Sequence, residues 1–170
     1  MLFDNKQLKF ESLVRAYSTE LYRYARWLCR DHFLAEDIVQ ETFTRAWQGL
    51  DGLRDVKAVK SWLYTILRRE HARLYERKRL DIDEHQELDA IEDSGSSGAY
   101  DSMEMRDALG SLAEGYKEPL LLQVLGGFSC DEIAAMMHIS SGAVMTRLSR
   151  ARLALRKLPE FKSGRNVRSQ

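Results

Sequence analysis

Apolar residues recur along this chain at spacings of three and four, and the stripes they draw are long. Phe10, Leu13, Val14, Tyr17, Leu21, Tyr24 and Leu28 fall on one side of a predicted helix spanning roughly residues 6–30. After Asp31, a suitable N-cap, a second stripe runs through Leu34, Ala35, Ile38, Val39, Phe43, Ala46 and Trp47 to about Leu50. A third predicted helix spans about Val56 to Arg79, with Leu63, Ile66, Leu67 and Leu74 on its buried side. No segment alternates with period two between hairpin turns, so the expected fold class is all-α.

Residues 128–156 carry the densest signals. Ser129 and Glu132 have the spacing of a capping box, and Phe128 and Ile133 that of a hydrophobic staple. A short helix to about Met137 is followed by a turn at His138 and Ile139, and Ser140 or Ser141 caps the next helix. In that helix Val144, Leu148, Ala151 and Leu155 form an apolar seam. Thr146, Ser149, Arg150 and Lys157 lie roughly opposite, with Arg147, Arg152 and Arg156 on the flanks. A helix that packs on one side and offers hydroxyl and guanidinium groups on the other suits a helix-turn-helix set in a DNA major groove. The same pattern also fits a plain amphipathic hairpin with a solvated basic face.

The formal net charge of zero hides segregation. Residues 1–80 carry a net charge of +5, residues 81–105 of −9, and residues 106–170 of +4. Local charge, rather than the total, governs attraction to phosphates. The acidic block contains Ser94-Gly95-Ser96-Ser97-Gly98 and few large apolar residues, the composition of a flexible linker. All three tryptophans, Trp27, Trp47 and Trp62, precede it. The expected organisation is an N-terminal helical domain over 1–80, a linker over 81–105, and a C-terminal domain of about four short helices over 106–158. A basic disordered tail over 159–170 completes it. No apolar run is long enough to span a bilayer, and the N-terminus lacks a signal-peptide pattern. With two distant cysteines, Cys29 and Cys130, the chain is expected to be reduced, cytoplasmic and not inserted in a membrane.

On the third predicted helix Arg68, Arg69, Arg73 and Arg79 cluster opposite the buried side, with Tyr64 and Tyr75 at one edge. Rings beside cations suit single-stranded nucleic acid, whose bases stack while its backbone follows the charge. The alternative is that the tyrosines cover the core edge and the arginines are solvated. On the second helix Glu36, Asp37, Gln40 and Glu41 form a polar patch, either solvated or a docking surface for a basic partner. Cys29-x-x-His32 has metal-ligand spacing, but no second pair accompanies it, so neither metal nor other cofactor is expected. No Gly-rich phosphate loop and no recognisable nucleophile-base pair is present, and the chain is read as a non-enzyme.

Three segments, in order, resemble the extracytoplasmic-function sigma factors of bacterial RNA polymerase. Residues 35–43, Ala-Glu-Asp-Ile-Val-Gln-Glu-Thr-Phe, are similar to the family's polymerase-clamp signature. Residues 62–66, Trp-Leu-Tyr-Thr-Ile, open a helix similar to its promoter-melting element, and residues 128–156 resemble its helix-turn-helix. The resemblance implies core polymerase contacts at Glu36, Asp37, Gln40 and Glu41. It implies a base-capturing loop over 49–60, and minus-ten contacts at Arg54, Lys57, Lys60, Trp62, Tyr64, Arg68, Arg69 and Arg73. It places minus-thirty-five contacts at Ser141, Thr146, Arg147, Ser149 and Arg150. It further implies an acidic linker passing near the polymerase active-site channel, and control by an anti-sigma factor.

The chain departs from the family pattern at three positions. Arg69 stands where asparagine is common, and Met145 where a basic residue is common. His138 stands where glycine is usual, so it must adopt a left-handed conformation or shift the turn. The expected function is a dissociable promoter-specificity subunit. The rival readings are an autonomous helix-turn-helix repressor, which would bind operators without polymerase, and a sigma-mimicking interaction module.

Overall fold

The computed structural model describes residues 2–84 and 103–158, in two compact units each described by itself. Among the described residues all regular structure is helical. The linker expected over 81–105 lies mostly outside the described residues, as does the tail over 159–170.

The first unit is built on three helices, α1 (Leu2–Cys29), α2 (His32–Gly49) and α3 (Val59–Glu84). Each of the three packs on the other two. Arg30 ends α1 with φ 58 and its amide donates to the Arg26 carbonyl at 3.0 Å. Asp31 then opens α2, its carboxylate accepting from the Leu34 amide at 3.1 Å. The chain thus reverses over two residues, one in the left-handed region and one as an N-cap.

The core of this unit follows the predicted stripes. Leu21, Tyr24 and Leu28 of α1 meet Ala35, Ile38, Phe43 and Ala46 of α2 and Leu63, Tyr64 and Leu67 of α3, all buried. Each fully buried leucine here contributes about 2 kcal/mol through area removed from water. The first half of α1 is less covered, and Phe10 there meets Phe43 and Trp47 edge to face at 6.2 and 5.2 Å. Trp47 itself stays at the rim, with Nζ of Lys6 4.7 Å above its ring.

Between α2 and α3 the chain makes two single 3-10 turns, Leu50–Gly52 and Val56–Ala58. Asp55 caps the second turn by accepting from the Lys57 amide at 2.9 Å. The third helix therefore begins at Val59, three residues later than its pattern suggested, and it extends to Glu84, beyond the expected end at Arg79. Residues 80–84 hold no proline or glycine to stop it.

The second unit contains α4 (Met103–Gly110), α5 (Glu114–Val124), α6 (Cys130–Met137) and α7 (Ser141–Lys157). Its core is Leu120, Leu121 and Leu122 of α5, Ile133 and Met136 of α6, and Val144, Leu148 and Ala151 of α7. Gly126 permits the sharp return from α5, because a Cβ there would lie 2.6 Å from the Leu122 carbonyl oxygen and from the Phe128 ring. Phe128 is thereby buried just ahead of the α6 cap.

Both halves of the capping box form. The Glu132 amide donates to Ser129 Oγ at 3.2 Å, and the Ser129 amide donates to Glu132 Oε2 at 2.7 Å. His138 adopts the left-handed conformation, φ 55 and ψ 42, that a glycine would take without steric strain. The amides of His138 and Ile139 both donate to the Ala134 carbonyl, the latter at 3.1 Å. Ser140, not Ser141, is the N-cap of α7, accepting from the Ala143 amide at 3.1 Å.

Candidate nucleic-acid interface

In the first unit the face of α2 turned away from the core carries Glu36, Asp37 and Gln40, all exposed. Phe33, 74% exposed, joins them at i, i+4 and i+7 with Asp37 and Gln40. Phe33 is also held: its ring lies edge-on to His32 at 5.4 Å. His32 in turn has Nδ1 on the Tyr22 hydroxyl and Nε2 3.2 Å from Glu36. Both ring nitrogens of His32 are thus engaged away from Cys29.

Glu41 is half-buried and paired. Its carboxylate meets Arg45 Nε at 2.8 Å, and Arg45 also lies 3.6 Å from Glu70 on α3. Glu70 meets Arg73 at 3.2 Å. A chain of alternating charge therefore runs from the acidic face of α2 to the basic face of α3.

The loop over 49–60 exposes Arg54 and Lys57, with Val56 84% exposed between them. Trp62 is half-buried and packs on Gly49, where a Cβ would stand 3.2 Å from its Cζ2. Lys60 is drawn inward, its Nζ 2.7 Å from Glu20. Along α3, Arg69 and Arg73 are exposed and Arg68 half-buried.

Tyr64 is the clear correction. It is fully buried, 5.0 Å from the Tyr24 ring, and its hydroxyl donates to Glu20 at 2.8 Å. A ring sealed in the core cannot stack on a base, so Tyr64 is a packing residue and not a DNA contact. Burial, then the hydrogen bond to Glu20, pushes its hydroxyl far above the ordinary tyrosine range. Tyr75, placed with it at the helix edge, is 57% exposed and lies 6.4 Å from His71.

In the second unit Thr146, Ser149 and Arg150 project from the exposed side of α7, and Arg147 is half-buried. The Ser141 hydroxyl donates to Asp131 of α6, which ties the two helices and leaves only its lone pairs for another ligand. Met145 is 54% exposed on the same helix, an apolar group among polar ones. Arg152 is engaged by Gln123.

Three residues on these faces escaped the pattern reading. Phe33 shares the exposed face of α2 and could have been found from its spacing to Asp37 and Gln40. Glu20 comes from α1, and Tyr116, whose hydroxyl accepts from Arg150 at 3.4 Å, from α5, and nothing local in the sequence signals their partners.

A helix-turn-helix unit accompanied by a separate helical unit with a basic helix defines a bipartite DNA-reading protein. Family comparisons agree. A model of sigma-70 region 2 matches residues 13–80, and a model of sigma-70 region 4 matches residues 102–155. The chain is 31% identical over 127 residues to ECF RNA polymerase sigma factor EcfG of Rhodopseudomonas palustris (strain TIE-1), covering 73% of this chain and 70% of that one. It is 31% identical over 161 residues to RNA polymerase sigma factor YlaC of Bacillus subtilis (strain 168), covering 86% and 90%. Among solved structures it is similar to the sigma factor RpoE in complex with the anti-sigma factor NepR from Bartonella quintana. That match has a TM-score of 0.72 and 29% identity, over 91% of this chain and 96% of that one. It is also similar to CnrH in complex with the cytosolic domain of CnrY, with a TM-score of 0.63 and 26% identity, over 96% and 91%. The chain belongs to the extracytoplasmic-function sigma factors, transcription initiation factors of bacterial RNA polymerase. No helix among the described residues is long and apolar enough to cross a membrane.

Proposed function

We propose the following division of labour for this sigma factor. The exposed face of α2, centred on Asp37 and Gln40 with Glu36 and Glu41 beside them, docks core polymerase. Trp62 and the loop over 49–60, with Arg54 and Lys57 outermost, meet the minus-ten element as it opens. Arg68, Arg69 and Arg73 follow the phosphates of that segment, and Lys60, held by Glu20, serves mainly to fix the start of α3. Thr146, Ser149 and Arg150 read base edges of the minus-thirty-five element, flanked by Arg147 and by Ser141 near the backbone.

The observation that carries this reading is the polarity of three faces. The acidic face of α2, the basic face of α3 and the polar face of α7 all lie opposite buried apolar seams. Potentials of opposite sign on neighbouring faces of one unit suit two partners of opposite charge. Base capture at the minus-ten element is physically economical, since AT-rich steps unstack at least cost.

Control by an anti-sigma factor is part of the proposal. One structural relative, the sigma factor RpoE bound to NepR, is a complex of that kind. Val124 and Leu153, 68% and 52% exposed, offer apolar surface in the second unit that DNA does not require. The work is cytoplasmic, alongside core polymerase, and the chemistry of RNA synthesis belongs to the polymerase.

Run-off transcription with core polymerase tests the whole reading. The purified chain should direct initiation at a cognate promoter drawn from a promoter library. Specific duplex binding without polymerase, together with failure across that library, would instead support an autonomous repressor.

A further inference from the structure

The N-terminal end of α5 and the exposed side of α7 enclose an open groove of about 520 Å³. Gly115 and Tyr116 line it from α5, and Ala143, Thr146, Arg147 and Arg150 from α7. Three of these six residues, Thr146, Arg147 and Arg150, are ones assigned above to the minus-thirty-five element. The remaining polar group, Tyr116, lies outside the helix-turn-helix, thirty-four positions before Arg150.

The two side chains touch. Arg150 Nη1 donates to the Tyr116 hydroxyl oxygen at 3.4 Å. Gly115 lies under the neighbouring guanidinium, and a Cβ there would meet Arg147 Nη1 at 3.9 Å. Arginine side chains carry considerable rotamer freedom, which is lost when the fork engages a base. A half-buried phenol fixed on a packed helix removes part of that freedom before DNA arrives. The contact uses one of five guanidinium N–H groups, so the fork keeps donors for a bidentate contact to a purine edge.

We infer that Tyr116 is a positioning residue for minus-thirty-five recognition, its hydroxyl holding Arg150 in the direction from which that arginine reads its base pair. The inference rests on the assignment of Arg150 as a base-reading residue. It extends the specificity surface from α7 to α5, so the identity of residue 116 tunes promoter choice without touching a base.

The test is a set of holoenzymes carrying wild-type chain, Tyr116→Phe, Arg150→Ala, or both substitutions. Each is assayed for run-off transcription on promoters in which every base pair of the minus-thirty-five element is varied singly. The phenylalanine ring keeps the packing and removes only the hydroxyl. Arg150→Ala should flatten preference at one base pair. Tyr116→Phe should weaken preference at that same base pair by about two- to tenfold, the worth of one hydrogen bond. The other positions should be unaffected, and Tyr116→Phe should add nothing in the Arg150→Ala background. A uniform loss across all positions would mark a merely structural role and overturn the inference. So would full additivity of the two substitutions, or wild-type preference in Tyr116→Phe while Arg150→Ala is altered. If Arg150→Ala itself keeps every preference, the assignment of Arg150 fails and this inference falls with it.

Discussion

Tyr64 donates its hydroxyl proton to Glu20 at 2.8 Å across the interface of α1 and α3, and the same carboxylate oxygen meets Lys60 at 2.7 Å. One glutamate thus joins a buried phenol to the lysine that opens α3. The arrangement keeps Tyr64 protonated in the folded state at pH values where the unfolded chain has released its proton. Stability from this source is complete below the ordinary tyrosine value of about 10 and falls as pH rises above it. The slope is up to about 1.4 kcal/mol per pH unit. Tyr64→Phe should cost about 1 kcal/mol at neutral pH and remove that alkaline slope. Urea unfolding at pH 7 and at alkaline pH checks both, and an undiminished slope in the variant would assign it elsewhere.

Gly49 lets Trp62 lie close against the end of α2. Its φ of −93° is open to any residue, so Gly49→Ala acts through the side chain alone. The new Cβ at 3.2 Å displaces the indole by a few tenths of an ångström. Holoenzyme carrying it should melt the minus-ten element several-fold more slowly, as read by permanganate reactivity of unpaired thymines. Affinity for core polymerase should be unchanged.

His138 occupies backbone space that disfavours any residue with a Cβ. His138→Gly should raise the thermal stability of the second unit by about 1 kcal/mol, partly offset by the greater freedom of glycine in the unfolded chain. Calorimetry gives the sign. The left-handed turn and the capping box are independent of α7's outer face, so promoter preference should stay as it is.

The polymerase face makes a prediction of opposite kind. Asp37→Lys reverses a charge that is exposed and outside the core, so folding should be untouched. Core polymerase should bind about tenfold or more weakly, since like charges set against each other cost several kcal/mol at an interface. Phe33→Ala should weaken the same complex, as loss of an exposed anchored ring does at interface centres. Competition binding to core polymerase measures both, and equal affinity for wild type and both variants would clear α2 of this role.

The helices were legible because their seams are regular. Leu21, Ile38, Leu67, Val144 and Leu148 lie where spacing placed them, and the caps at Asp31 and Ser129 form as their residue types require. Tyr64 shows the limit of such reading. Its helical position borders both the apolar seam and the basic arc, and its partners in the core, the Tyr24 ring and the carboxylate of Glu20, both come from α1, at least forty positions away in the chain. The same limit applies to Lys60, expected among the minus-ten contacts, whose partner Glu20 is on α1, and to Tyr116, whose partner is on α7. The start of α3 was misplaced because Asp55 caps a 3-10 turn before the helix, a local hydrogen bond that apolar periodicity does not register.

Arg45 stands between Glu41 on α2 and Glu70 on α3, and Glu70 also holds Arg73. Genetics on this unit will meet that shared cation as epistasis. Replacing Glu70 returns Arg45 wholly to Glu41 and quiets an acidic group on the opposite helix, while unburdening Arg73. If α2 docks core polymerase as proposed above, a substitution on the basic helix should carry a docking phenotype, and its suppressors should map to α2.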